Sequence, residues 1–300
     1  MPVWLAADLV SVLNGFAIGF LLFILAVGLS LVFGMMDVLN LAHGALFLGG
    51  AYLGATFAGD PRTGTAGWGG FLGALAVAAV AGLAAGGLLS LMTEPLRRRS
   101  HLDQALLTLG VALIVAELLA IVFGNDPLAV GAPPGLDGSV DVLGAAYPTY
   151  RLALIGIGAL LALAVYLVVD RTRVGALVRA TVADREMVAA IGVDNRLVKA
   201  AVFAVGSLLA TTAGVLGGPI YGARPGLDST VLILALVVVV IGGLGSVRGA
   251  LVGALIIGQI ESLGRALLPD LASFILFGAL ALVLVLRPRG LFGGPAAVPR

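Results

Sequence analysis

The sequence has 300 residues, 60% hydrophobic and 11% charged, with a mean hydropathy of +1.15; soluble domains carry about 25% charged residues, so water is excluded as the main solvent of this chain. Seventeen basic against sixteen acidic residues leave a net charge of +1, which gives no basis for nucleic-acid binding or a polybasic membrane anchor. The lack of cysteine excludes disulfides, thiolate nucleophiles and cysteine-ligated metal.

A helix needs about 20 apolar residues to cross roughly 30 Å of hydrocarbon. Nine segments reach or approach that length: 9–34, 38–58, 68–92, 104–124, 152–169, 197–217, 229–242, 250–267 and 271–286. They predict an all-α integral membrane protein, a polytopic bundle of eight or nine transmembrane helices forming one transmembrane domain over residues 1–300. The first basic residue is Arg62, so the first segment reads as a retained span rather than a cleavable signal.

The second segment opens with Asn40 and His43, followed by Gly44, Gly49, Gly50 and Gly54. Polar side chains at membrane depth are costly and usually face the bundle interior, while glycines permit close helix approach and broken-helix geometry. Two readings stand for Asn40 and His43: they line a pathway, or they cap a helix and bond a neighbouring carbonyl. Glu117 in the fourth segment, and Gln259 and Glu261 in the eighth, carry two readings, a proton or sodium relay or interfacial and interhelical bonding; Arg265 stands four residues after Glu261, the spacing of a helical ion pair. Ser207, Thr211 and Thr212 suit helix packing. Residues 230–241 are strongly β-branched, but an open strand in lipid leaves its backbone unsatisfied, so the seventh segment is predicted to be a helix, short for a full crossing. A second glycine cluster, Gly242 to Gly249, is a candidate pseudo-repeat of the first.

Basic residues gather at three places: Arg97, Arg98 and Arg99; Arg171, Arg173, Arg179, Arg185, Arg196 and Lys199; and Arg287, Arg289 and Arg300. Cytoplasmic loops retain Lys and Arg, so these three regions share one side and the loop 125–150 lies outside. Nine crossings place the N-terminus outside and the C-terminus inside; eight place both inside.

The connection 171–199 is the longest of the basic loops. Within it, 176–191 holds good helix formers and no proline, with Ala180, Ala183, Met187 and Ile191 on one stripe. Arg179, Asp184, Arg185 and Glu186 lie mostly off that stripe. Gly192 supplies a stop, and Asp194 or Asn195 a cap for the next helix. A helix this short needs something to dock against; it lies in the groove of a cytosolic partner, or the loop is solvated and its arginines only enforce topology.

Enzyme chemistry finds no support. His43 and His101 are far apart, Asp137 and Asp141 fall in the outer loop, and no zinc-binding His-Glu-x-x-His pattern exists. The only lysine, Lys199, lies between Val198 and Ala200, so no phosphate-binding loop is present.

Arg179-Ala180-Thr181, Asp184, Met187, Ala189 and Gly192-Val193 resemble the ATPase-contacting loop of the branched-chain amino-acid permeases of ABC importers, LivH type. The stretches Gly28-Leu29-Ser30-Leu31-Val32-Phe33-Gly34 and Leu39-Asn40-Leu41-Ala42-His43-Gly44 resemble that family's N-F-A-H-G region, with Leu41 where Phe is more usual. Glu94-Pro95-Leu96-Arg97 and Leu107-Thr108-Leu109-Gly110 resemble its first cytoplasmic loop and the span that follows; Gly242-Gly243-Leu244-Gly245-Ser246-Val247-Arg248-Gly249-Ala250 resembles its G-G-x-G-S-x-x-G-A signature.

The resemblance implies an ABC importer permease fold in a bacterial cytoplasmic (inner) membrane, with the C-terminus cytoplasmic. The chain forms the translocation pathway and binds no cofactor; ATP and Mg sit on two cytosolic ABC ATPase subunits. A second homologous permease subunit and an extracytoplasmic solute-binding protein complete the expected assembly. Leucine, isoleucine and valine are the default cargo, with other amino acids, urea or amides as related solutes. The implied ATPase-coupling residues are Arg179, Asp184, Arg185, Glu186, Met187, Ile191 and Gly192. Asn40, His43, Gly44, Gly243, Gly245 and Ser246 are the implied pathway residues. The competing class is an ion-gradient-driven secondary transporter, which would need a buried relay of charges.

Overall fold

The computed structural model describes residues 3–36, 39–59, 67–96, 99–142 and 144–292, with the side chains of 3–8, 35–36, 185 and 186 outside that description. In chain order the elements are α1 (Val3–Met36), α2 (His43–Phe57), α3 (Trp68–Thr93), α4 (His101–Phe123), β1 (Ser139–Val142), β2 (Ala145–Pro148), α5 (Thr149–Arg171), α6 (Arg173–Ala183), α7 (Arg185–Ala190), α8 (Asn195–Tyr221), α9 (Leu227–Gly242), α10 (Val247–Leu267) and α11 (Ala272–Leu286), the last preceded by a single 3₁₀ turn. Seven of these helices, α1, α3, α4, α5, α8, α10 and α11 with its preceding turn, are long and apolar enough to cross a membrane. α1 and α8 are the most buried of the seven and form the centre of the bundle, while α4 and α11 are peripheral.

Long-range contacts sort the helix ends into two sets. At one end, Glu94 after α3 meets Lys199 of α8, Asp170 of α5 meets Arg248 of α10, and Gly34 of α1 packs on Gly245. This is the basic end; it also holds α6 and α7. At the other end, Arg151 of α5 donates to Asn14 of α1, Ser262 of α10 donates to the Ser11 carbonyl, and Leu128 bridges Ala223. The β1–β2 hairpin belongs there, pairing Ser139 with Pro148 and Val142 with Ala145. Burial pushes its Tyr147 hydroxyl up to about 12 against the opposing effect of Arg151.

The remaining two helices are half-length. α2 has 15 residues and α9 has 16, about 22 and 24 Å at 1.5 Å per residue, short of the roughly 30 Å hydrocarbon core. Each is nevertheless part of a full crossing. The chain leaves α1 at the basic end, passes through residues 39–42 without helix, and α2 then reaches the far end, where the Gly131 N–H donates to the Gly59 carbonyl. It leaves α8 at the far end, passes through 222–226, and α9 then descends to the basic end, where Phe292 N–H bonds the Gly242 carbonyl. All nine predicted segments therefore run between the two ends of the bundle, seven with helices long enough to cross a membrane and two with half-length ones.

Three expectations are corrected. Segment 38–58 is not helical throughout: side chains satisfy the backbone of 39–42, the Leu41 N–H donating to Thr108 Oγ1 at 3.1 Å and the Ala42 N–H to Asn40 Oδ1 at 3.2 Å. Backbone without helix is tolerated at membrane depth only where protein encloses it. The fourth helix starts earlier than predicted, at His101, because Ser100 and Asp103 form a reciprocal capping box. The single helix predicted over 176–191 is two, α6 and α7, broken at Asp184, whose backbone is extended at φ −153°. Arg62, Arg97, Arg98 and Arg300 lie outside the described residues.

Candidate translocation junction and coupling loop

Asn40 and His43 sit where α2 begins. The Nε2–H of His43 donates to the Leu25 carbonyl at 2.9 Å, since a carbonyl only accepts. That leaves Nδ1 as a buried acceptor, and Nδ1 and Asn40 Nδ2 have no protein partner. Asn40 is 1% exposed and His43 0%, so both lie inside the subunit, bonding backbone in the manner of the second reading above. Gly44 packs directly on the Asp228 carbonyl and on Leu232 of α9, where a side chain would collide. The N-terminal ends of the two half-length helices thus meet.

Helix α1 gives the depth of that meeting. Leu25 lies nine residues from Gly34, at the basic end, and fourteen from Ser11, at the other, about 14 and 21 Å along a helix. Asp228 lies fourteen residues before Gly242, a further ruler of about 21 Å from the basic end. Both place the junction well inside the bundle.

Gly243, Gly245 and Ser246 are elsewhere, in the turn joining α9 to α10 at the basic end. Gly243 and Gly245 have φ of 102° and 76°, conformations glycine adopts without strain; Gly245 packs on Gly34, and Ser246 Oγ accepts the Gly249 N–H at 3.0 Å to cap α10. The structure therefore does not bring these three together with Asn40, His43 and Gly44. The two glycine clusters are also unlike in form, one within a helix and one in a turn.

Of the other polar residues singled out, Gln259 Nε2 donates to the Val12 carbonyl at 3.0 Å, Thr211 Oγ1 to the Ala78 carbonyl at 2.8 Å, and Glu261 pairs with Arg265 one turn on. All three make the interhelical or helical bonds their spacing suggested. Glu117 is exposed on α4.

In the loop between α5 and α8, Gly175 packs on the carbonyls of Val168 and Val169, folding α6 back under α5. Leu177 and Val178 are half-buried, and Thr181 and Val188 are buried. The predicted stripe points the other way: Ala180 and Ala183 are exposed, Met187 is 63% exposed and Ile191 71%. Asp184 Oδ1 accepts the Met187 N–H at 2.9 Å and caps α7. Gly192 ends the helical stretch with φ of 90°, and Asp194 caps α8 through the Arg196 N–H at 2.8 Å. The backbones of Arg185 and Glu186 lie on α7. Replacing Asp184 with alanine is expected to cost about 1 kcal/mol of local stability, seen as faster amide exchange across 185–190 with α8 unaffected; unchanged exchange would contradict the cap.

Two carboxylates tie this loop to the bundle. Asp170, at the end of α5, takes Arg248 of α10 at 2.8 Å and Arg179 of α6 at 3.6 Å, and Arg248 lies over the Tyr166 ring. Glu94 takes Arg196 at 3.1 Å and Lys199 at 3.2 Å. The arginine pairs are solvent-exposed and add little to stability, but with the buried Lys199 they set the loop's orientation. Asp170 stands out as a hub only in the structure; its signal in the sequence is one acid amid arginines at the end of an apolar run.

Seven helices long enough to cross a membrane, two half-length helices packed on glycine and a shaped loop at the basic end make this a multi-pass membrane protein. Residues 11–285 match the family described as branched-chain amino acid transport system / permease component, and the chain belongs to that family. It is similar to the high-affinity branched-chain amino acid transport system permease protein LivH of Escherichia coli K12, 29% identical over 94% of both chains. The LivH protein of Salmonella typhimurium is 27% identical over 94% of both, and BraD of Pseudomonas aeruginosa 27% over 95% of both. No solved structure matches.

Proposed function

We propose that this chain is the permease subunit of an ATP-driven importer of branched-chain amino acids, working in the cytoplasmic membrane of a bacterium. The observation that carries the coupling is the exposure of Ala180, Ala183, Met187 and Ile191, an apolar surface that the described residues leave uncovered. Helix-in-groove docking of α6–α7 on an ABC ATPase would cover it. Two such ATPases, holding ATP and Mg, would power the cycle, with a second homologous permease and an extracytoplasmic binding protein completing the assembly. The clustering of Arg99, Arg171, Arg173, Arg196, Arg287 and Arg289 supports a cytoplasmic basic end and C-terminus.

Motion of the coupling loop would pass through Asp170 to Arg248 and the Gly243–Gly245–Ser246 turn, and through Glu94 to α3 and α8. Asn40, His43 and Gly44 would shape the pathway from behind by fixing where the half-length helices meet. The names of the relatives support leucine, isoleucine and valine as cargo. Purification of the tagged chain in mild detergent should recover two ATPases and a second permease, with hydrolysis stimulated by leucine-loaded binding protein. Recovery of the chain alone would contradict the assembly.

A further inference from the structure

Helices α5 and α10 both pack on α1 yet barely touch each other. Gly158 sets α5 against Phe20, and Gly258 sets α10 against Gly15 and Gly19 of the same central helix. Between them remains a groove of about 570 Å³, floored by Phe20 and Phe23 and walled by Ala162, Leu163, Leu251 and Val252. Ligand sites run from roughly 300 to 1,000 Å³. Ala159, also on its wall, stands eleven residues before Asp170, about 16 Å along a helix. The groove thus descends from the basic end through about half of a roughly 30 Å hydrocarbon core, the depth of one leaflet.

The groove is amphiphilic along its length. Its walls are apolar, and the two polar side chains that line it, Arg248 and Tyr166, stand together at the end nearest Asp170. Two N–H groups of Arg248 reach Asp170 Oδ2, at 2.8 and 3.2 Å. A guanidinium has five such donors, and this side chain is 64% exposed, so donors remain for a second anion. Arg179 also pairs with Asp170; two cations share one carboxylate, and the corner keeps a net positive charge. Ala159 and Leu163 are exposed, so the groove opens sideways, toward lipid.

We infer that this groove holds an acyl chain of an anionic phospholipid from the basic-end leaflet, whose phosphate takes the open edge of Arg248. Basic pockets between spanning helices suit anionic head groups, and a guanidinium fork matches phosphate oxygens two at a time. The one-ended polarity fits a lipid better than a helix of another subunit, which would bring apolar side chains along the whole groove and leave the guanidinium edge unmatched. Headgroup and Asp170 then hold Arg248 from two sides. That fixes the first turn of α10 at the point where α6 reaches Asp170 through Arg179. Such a site does not depend on which solute the protein carries.

The test uses the full chain, purified in mild detergent with whatever partners accompany it and stripped of native lipid. It is titrated with phosphatidylglycerol or phosphatidylcholine of identical acyl chains, and bound lipid is counted by native mass spectrometry. The first phosphatidylglycerol should bind about fivefold more tightly than phosphatidylcholine, the attraction one basic side chain adds toward anionic lipid. Arg248→Gln should bring the two lipids level. Arg99→Gln, exposed at the same end but outside the groove, should leave the preference in place. Should Arg248→Gln fail to fold, Ala159→Trp carries the test: it fills an open wall of the groove and should weaken both lipids at least threefold. Equal binding of the two lipids by the unmodified chain, or a preference that survives Arg248→Gln, would overturn the inference. A stable assembly of two permease chains that takes up no lipid would overturn it too, by assigning the groove to a subunit interface.

Discussion

Gly44→Val is expected to abolish ATP-driven uptake. Gly44 is the point where α2 touches α9, and an added Cβ would strike the Asp228 carbonyl and lie 2.9 Å from the Leu232 Cβ. Neither neighbour can rotate aside, because one is backbone and the other is the first atom of its side chain. Overpacking of this kind costs about 1–3 kcal/mol, and the strain falls on the junction rather than on a peripheral helix. Separation of α2 from α9 would also pull His43 from the Leu25 carbonyl. Gly49→Ala is the matched control on the same helix. No atom lies within 4 Å of its would-be Cβ, and alanine favours a helix by up to about 1 kcal/mol over glycine, so its uptake should stay within about twofold of wild type. Equal losses from both substitutions would show that glycine content, not the junction, is what matters.

The second large effect is expected from Met187→Asp/Ile191→Asp. Both side chains are exposed and touch little of the bundle, so the subunit should fold and reach the membrane. Two new charges on the apolar stripe would meet an apolar groove on the ATPase, and burying an unpaired charge is costly. Uptake should fall at least tenfold, and the ATPase should no longer co-purify. Val188→Asp on the same helix turn should behave differently: Val188 is 3% exposed and faces the subunit, so its replacement should destabilise the loop itself, raising proteolysis around 184–192. Normal uptake by the Met187/Ile191 variant would remove the docking account.

Much of the fold was legible in the sequence because membrane spans are long apolar runs with few competing interpretations. The two half-length helices were harder. For α9 the short run 229–242 signalled a partial crossing, whereas the apolar residues around Asn40 and His43 hid the break before α2. That break is held by Thr108 of α4 together with the local Asn40 side chain, and no local pattern announces a partner 67 residues away. Likewise one unbroken helix was predicted across the loop because Asp184 is compatible with either a helix surface or a cap. Its bond to the Met187 N–H decides the matter. Conversely, Gly243, Gly245 and Ser246 were grouped with the first glycine cluster by composition, and their positive-φ turn at the basic end separates them.

The central claim, that this chain carries amino acids only when driven by ATP hydrolysis on partner subunits, is tested most directly by leucine uptake into liposomes holding the purified complex. Uptake should require ATP and binding protein and be indifferent to sodium or proton gradients. Accumulation by the chain alone, under an ion gradient and without ATP, would contradict it.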